Sequence, residues 1–565
     1  MRILRIISVG LSVIALMVIA ACSSNAPDTY SPYGYANNEY NGGALLGEEG
    51  IERYDSPSNV ETYPDMYTSY IPTQINHINL DYVLAIANER RHNTHERDMD
   101  RINALIQERE PSSIDWSRLF YAPRARFVSD EEAIEDVKIF FDLLKHWYSA
   151  YEYFGGDSVF FPIRDEILET LAQRDQHTAG TLTVLLWNAL SPIIADNHFT
   201  LDSHIFTTSS LFHVWETPFD RTPYGFRHRY SNGYISEVIG YHIDDVFHPT
   251  VTEEGEFYYV LIIVAPNPYG SSTSIYDLQV LYSNGDTETV RLINSQFDSM
   301  LDLDEPPSLR FENDIPIVRL QRMPLPVRSP HDDLIGFDEN EALTFLSFAY
   351  DLQDEPAIII DLRTNLGGFI VLSKMWLYRL TGEIVPFGFC HLTTEGLTIP
   401  NEAIPYLPEH WYRSFNPSDE WMYFLEIVRE KYDPYLFIND YHWISGVYSR
   451  LVPNDRLIIL LIDRFTSSAG EAFTSQILNM ENTLVIGQNT SGTLLTSGAL
   501  PLYLPNSGIP FNMGSSVFVH PESTWQEGVG YAPDVWVIGD ALTAALAILN
   551  NQRLYCEEQR DEAIQ

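Results

Sequence analysis

The chain has 565 residues, 45% of them hydrophobic, with 78 acidic against 34 basic side chains and a formal charge of −44. Such a length calls for several folded units with ample apolar material for their cores. The acid excess argues against nucleic acid as a partner, because that binding draws on basic surface, and against an electrostatic grip on anionic lipid. The three cysteines, Cys22, Cys390 and Cys556, have no metal-ligand spacing and define no disulfide framework; a Cys390–Cys556 bridge stays open. No metal or cofactor is expected.

Taken in order, Arg2 and Arg5 precede an apolar run over 6–21 that is too short for a comfortable membrane span and reads as a signal peptide over 1–21. Its end, Ile19-Ala20-Ala21-Cys22, resembles a bacterial lipoprotein cleavage box. That resemblance implies cleavage before Cys22, acylation of Cys22 (palmitate among the chains), and working domains tethered by lipid to the cell membrane on its extracytoplasmic side. Residues 22–75, rich in Ser, Asn, Gly, Pro and Tyr, have no apolar periodicity and read as a disordered tether.

Residues 76–204 read as an N-terminal helical domain. Apolar side chains recur at three-and-four spacing over 132–144, and the stretches 163–171 and 182–190 are shorter helices of the same kind. The domain ends in Asp196-Asn197-His198-Phe199-Thr200. A histidine at such a loop edge can titrate near neutrality, although one histidine among 16 is, by itself, more simply structural.

Residues 205–310 read as β-rich. Strands are expected over 258–264, 277–282 and 287–292, with a hairpin turn at Asn284-Gly285 and a strand over 238–243 interrupted at Gly240. Residues 311–550 alternate strands with helices: strands at 315–320, 357–362, 457–462 and 484–487, helices at 339–350, 369–380 and 471–480. That order indicates an α/β core with a largely parallel sheet. An insertion over 381–450, rich in Pro, Tyr and Trp with a helix near 419–431, is placed to wall a cleft. Residues 551–565 form a tail.

Inside the core, the strand over 457–462 runs through Asp463-Arg464-Phe465-Thr466-Ser467-Ser468-Ala469-Gly470-Glu471 into a helix. A serine at that turn can expose its hydroxyl beside helix N-terminal amides aimed at a developing anion. Ser468 is therefore a candidate nucleophile. The plainer reading is a helix cap.

Together with Asp361-Leu362-Arg363-Thr364-Asn365-Leu366-Gly367-Gly368, Gly487-Gln488-Asn489-Thr490-Ser491-Gly492, Glu527-Gly528-Val529-Gly530-Tyr531-Ala532-Pro533-Asp534 and the His198 segment, this turn resembles the ordered motifs of one serine peptidase family, that of the tail-specific (C-terminal processing) and tricorn-type proteases. The resemblance covers about 130–550. It implies a crotonase-like (ClpP/crotonase) α/β core, with the β-rich region compatible with a degenerate PDZ-like domain. The tail-specific branch pairs its serine with a lysine 25 residues later; here that position is Thr493, and no lysine follows Lys431. The chain therefore looks closer to the tricorn-like branch, in which Ser468, His198 and Glu527 would be the catalytic set, with Glu522 the other candidate acid. The family further implies an oxyanion hole from the N–H of Ala469 and of Gly367 or Gly368; Asp361 and Arg363 are taken as structural. The expected activity is peptide-bond hydrolysis through an acyl-enzyme, with a peptide or protein as substrate. The alternatives are an inactive relative acting as a peptide- or ligand-binding lipoprotein, and a hydrolase of small esters.

Overall fold

The computed structural model describes most of residues 114–394 and 451–551, with a few positions between 80 and 105 and short pieces between 416 and 445. The expected signal peptide, Cys22, the tether, Glu522, Cys556, nearly all of the tail and nearly all of the helix expected near 419–431 lie outside the described residues. Among the described residues, no helix is long and apolar enough to cross a membrane.

The front section carries three helices, Asp130–His146, Gly156–Leu171 and Ala179–Leu190. The first starts at a capping box: Glu132 N donates to Ser129 Oγ (3.2 Å) and Ser129 N to Glu132 Oε2 (2.8 Å). Acids crowd its first turn, and Lys145 and His146 its last, in the sense that favours the helix dipole. The second helix begins at Gly156, well before the expected residue 163. It follows the left-handed Gly155 and runs on through Pro162.

These helices bury Ala133, Val137, Phe140, Leu144, Leu186 and Leu190 in a core that they do not complete alone. Leu495, Leu502, Leu504, Phe511, Met513 and Val517, from the far end of the chain, supply its other wall. Phe140 meets Phe511 edge-on at 5.4 Å. Backbone pairing follows the same seam: the short strand Thr200–Leu201 lies antiparallel to Pro510–Asn512, Leu201 opposite Phe511. The buried Asp136 carboxylate accepts from Asn506 N (3.0 Å) and Ser507 N (2.8 Å), which closes the seam at its edge.

Residues 210–294 form one seven-stranded antiparallel sheet. The Asn284-Gly285 turn joins strands Ile275–Tyr282 and Thr287–Asn294. The strand expected over 238–243 is not continuous. Tyr234–Val238 stops before Gly240, whose φ of +91° turns the chain into the one-turn helix Ile243–Val246.

The α/β core is a six-stranded sheet. Ser308–Glu312 and Ile315–Arg319 make its antiparallel edge, and Ile315–Arg319, Ala357–Asp361, Leu457–Ile462, Thr483–Gly487 and Val535–Trp536 run parallel. Both faces are covered, which is why these strands read as unbroken apolar runs. Ile358, Ile360, Ile458 and Leu460 face the helices Glu339–Asp351, Val371–Thr381 and Ala469–Ile477. Ile359, Ile459, Leu461 and Ile486 face the helical stretch 541–551. Strands Cys390–Thr394, Leu436–Phe437 and His442–Ser445 of the insertion join Ser516–Val519 and Thr496–Ser497 in a separate five-stranded sheet.

Phe511 is 1% exposed and fills the seam, whereas Phe311 is 58% exposed. Phe511→Ala is expected to lower unfolding free energy by about 3–5 kcal/mol. Phe311→Ala should stay within about 0.5 kcal/mol of wild type. Urea unfolding followed by tryptophan fluorescence checks both.

Candidate active site

Three neighbouring parallel strands, Ala357–Asp361, Leu457–Ile462 and Thr483–Gly487, end on the same side of the sheet, and each releases a loop there. The crevice beyond the carboxyl ends of parallel strands is where such sheets place ligands. The first loop holds Gly367 and Gly368, the second Ser468, the third residues 488–493.

The loops are latched to one another by main chain. Ser467 N donates to Asn365 O (2.8 Å), and Ser491 N to Thr466 O (2.9 Å). Asp463 accepts from the N–H groups of Thr364, Phe465 and Thr466, each at 2.9–3.0 Å. Under this bracing Ser468 holds φ +50° and ψ −115°. For a non-glycine residue that conformation costs on the order of 1–3 kcal/mol and persists only where its surroundings dictate it. Gly367 lies flush against the serine: a Cβ there would come within 2.7 Å of Ser468 Cβ, and its φ is +96°. Ser468 is also the N-cap of Ala469–Ile477, with Glu471 reaching back to its N–H. The N-cap position therefore does not rule out a reactive hydroxyl at the same residue.

The docked front section brings His198 to this turn. His198 Nε2 lies 3.2 Å from Ser468 Oγ, across 270 residues of chain. Both residues are half-buried. The loss of water around the ring pulls the His198 pKa below its ordinary value, and the Asp196 charge opposes this in part. Nδ1 of His198 is buried with no hydrogen-bond partner among the described residues.

Glu527 does not reach that nitrogen. Its Oε1 accepts from Asn197 N (2.8 Å) and its Oε2 from Leu495 N (2.9 Å) and Leu494 N (3.3 Å). It therefore holds the histidine through the preceding residue's main chain. Burial, with the Asp196 charge adding to it, pushes the Glu527 pKa well up. Asp196 itself accepts from His198 N (3.0 Å), Tyr148 Oη (2.8 Å) and Thr496 Oγ1 (2.8 Å).

Of the two glycines expected to serve an oxyanion, Gly367 already donates its N–H to Asn365 Oδ1 (2.9 Å). The N–H groups of Gly368 and Ala469 donate to no acceptor among the described residues. Asp361 is fully buried and ion-paired with Arg363 (2.8 Å) and Arg319 (3.1 Å), away from the serine's contacts.

Three residues near the serine escaped the sequence reading of the site. Glu471, 0% exposed, was visible only as part of the Ser468 motif, and five of its six hydrogen-bond donors come from distant segments. Asn197 donates through Nδ2 to Gly492 O (2.9 Å) and Thr493 Oγ1 (3.2 Å). Thr493, noted only for not being lysine, is thus part of the junction between histidine loop and serine loop. No arginine or lysine pairs with Asp196, Glu471 or Glu527 among the described residues, nor do three or more His, Cys, Asp or Glu side chains gather to hold a metal ion.

No curated protein matches the chain in sequence. Among solved structures it is similar to mature CPAF complexed with lactacystin, at 14% identity over 76% of this chain and 98% of that one, with a TM-score of 0.36. It is also similar to the photosystem II D1 C-terminal processing protease, at 11% identity over 73% and 93% with a TM-score of 0.31. The tricorn protease matches at 14% identity over 74% of this chain and 37% of its own, with a TM-score of 0.29. Residues 333–537, which hold Gly367, Gly368, Ser468 and Glu527, match the model of Peptidase family S41. Over those residues the chain is similar to a family of serine-type peptidases.

Proposed function

We propose that this peptidase cleaves peptide bonds by a Ser-His-Glu mechanism of the tricorn-like kind, on a crotonase-like core, while anchored by lipid at Cys22 to the extracytoplasmic face of the cell membrane. The observation that carries the mechanism is the 3.2 Å approach of His198 Nε2 to Ser468 Oγ. A hydroxyl is a poor nucleophile at neutral pH unless a base stands within hydrogen-bond reach. Thr493 at the tail-specific lysine's position, already engaged with Asn197, favours histidine as that base.

In this reading Ser468 Oγ attacks the scissile carbonyl as His198 Nε2 takes its proton. The tetrahedral oxyanion is met by the N–H groups of Gly368 and Ala469, the amides left without acceptors, where one such donor is worth about 10²–10³ in rate. Collapse expels the amine with the proton from His198 and leaves an acyl-serine, which water then hydrolyses by the same exchange. Glu527 acts at one remove, by fixing Asn197 N, while the neighbouring Asp196 charge favours the imidazolium. The β-rich sheet over 210–294, as a degenerate PDZ-like module, would present the peptide.

An activity-based fluorophosphonate probe is expected to label Ser468. Ser468→Ala should abolish labelling, and His198→Ala should lower turnover by about 10⁴-fold or more. Absence of both labelling and peptide hydrolysis in the wild type would leave a peptide-binding lipoprotein instead.

The pH profile follows from the histidine. The base form is neutral imidazole, and a pKa lowered by burial keeps it neutral to lower pH. Activity rises with pH through that lowered value, so the acid limb of kcat/KM should fall below the ordinary histidine value of about 6.5. A limb at or above that value would contradict the assignment. Finally, Cys22→Ser should move the protein from the membrane pellet to the soluble fraction of fractionated cells, and an unchanged pellet would refute the lipid anchor.

A further inference from the structure

We propose that Glu471 is a positioning residue for the Ser-His pair, joining the main chain of the nucleophile to the loop that grips the histidine segment. The inference rests on the peptidase reading above and adds a part to it.

The path is continuous. Ser468 N donates to Glu471 Oε2 (3.3 Å), and the same oxygen accepts from Thr493 N (2.6 Å) and Ser491 Oγ (3.4 Å). Oε1 accepts from Gly492 N (3.0 Å), Thr490 Oγ1 (2.6 Å) and Trp525 Nε1 (3.0 Å). From Gly492 and Thr493 the contacts pass to Asn197 Nδ2, whose residue directly precedes His198. One carboxylate therefore sets the serine's backbone and the histidine loop's docking place at once. Trp525, two residues before Glu527, is held in turn by stacking on His520 at 4.0 Å, and His520 bonds Tyr531 Oη and Leu494 O.

The chemistry of the group is specified by its partners. Four of the six donors are N–H groups that can only donate, two on each oxygen. A carboxylate is acceptor-only and satisfies them all, whereas a glutamine would turn an NH₂ toward two N–H groups. The residue is 0% exposed and forms no ion pair among the described residues, so its hold on these segments is made by hydrogen bonds alone.

The test uses the full chain and compares wild type, Glu471→Gln and Trp525→Phe on one chromogenic peptide substrate, with circular dichroism as a check on folding. Glu471→Gln is expected to lower kcat about 10²-fold, as a displacement near 1 Å between reacting groups does, with KM changed less than about threefold. Trp525→Phe keeps the aromatic stack and removes a single donor, so kcat should fall about tenfold at unchanged KM. Wild-type kcat in both folded variants, or losses appearing in KM alone, would overturn the positioning role while leaving the peptidase reading intact. If Glu471→Gln does not fold, Trp525→Phe decides by the same criterion. A wild type without turnover would overturn both readings together.

Discussion

The site depends on one interface within the chain, the seam between the front helices and residues 495–519. Leu201 opposite Phe511 in a two-residue ladder, Phe140 edge-on to Phe511, and Asp136 on the amides of Asn506 and Ser507 fix the front section against the rear one. His198 precedes that ladder by two residues. Its place beside Ser468 is therefore dictated by side chains that take no part in chemistry. Each large apolar group buried there stabilises the docked state by about 1.5–3 kcal/mol, enough in sum to hold a half-exposed histidine loop in one position.

A second constraint is the treatment of negative charge. The chain buries Asp196, Glu471 and Glu527 close together without a basic partner among the described residues. Bare carboxylates in such surroundings would cost several kcal/mol each. Main-chain N–H groups, joined at Asp196 by the hydroxyls of Tyr148 and Thr496, offset much of that cost, and because these donors lie on different segments, each carboxylate also becomes a fixed joint between them. Asp361 follows the opposite plan, with two guanidinium partners, Arg319 and Arg363. The contrast separates the electrostatics of the scaffold from those of the site: arginines brace the first, amides orient the second.

Much of the core was legible because its signals are local. An apolar run over 457–462 followed by small polar residues and a helical pattern points to a strand, a tight turn and a helix, and Gly367-Gly368 announces a close backbone approach. His198 was not legible in that sense. No periodicity links it to Ser468, and only the resemblance in motif order paired them. Glu471 was in plain view, yet a carboxylate's burial depends on segments 19 to 54 residues away, which composition does not report. The placement of Glu527 was legible only in outline: it reaches the histidine segment through Asn197 N rather than at the ring. At Gly240 the apolar neighbours suggested a strand, and the left-handed backbone won.

The shared core also has a temporal side. Synthesis delivers the front helices first, with one wall of their interior bare until residues near 511 appear, about 300 positions after Leu201. At roughly 5–20 residues per second, that interval is about 15–60 s. Throughout it the front section presents Phe140, Leu186 and Phe199 to water without their distant partners. The same delay keeps Ser468 apart from His198 until translation is nearly finished.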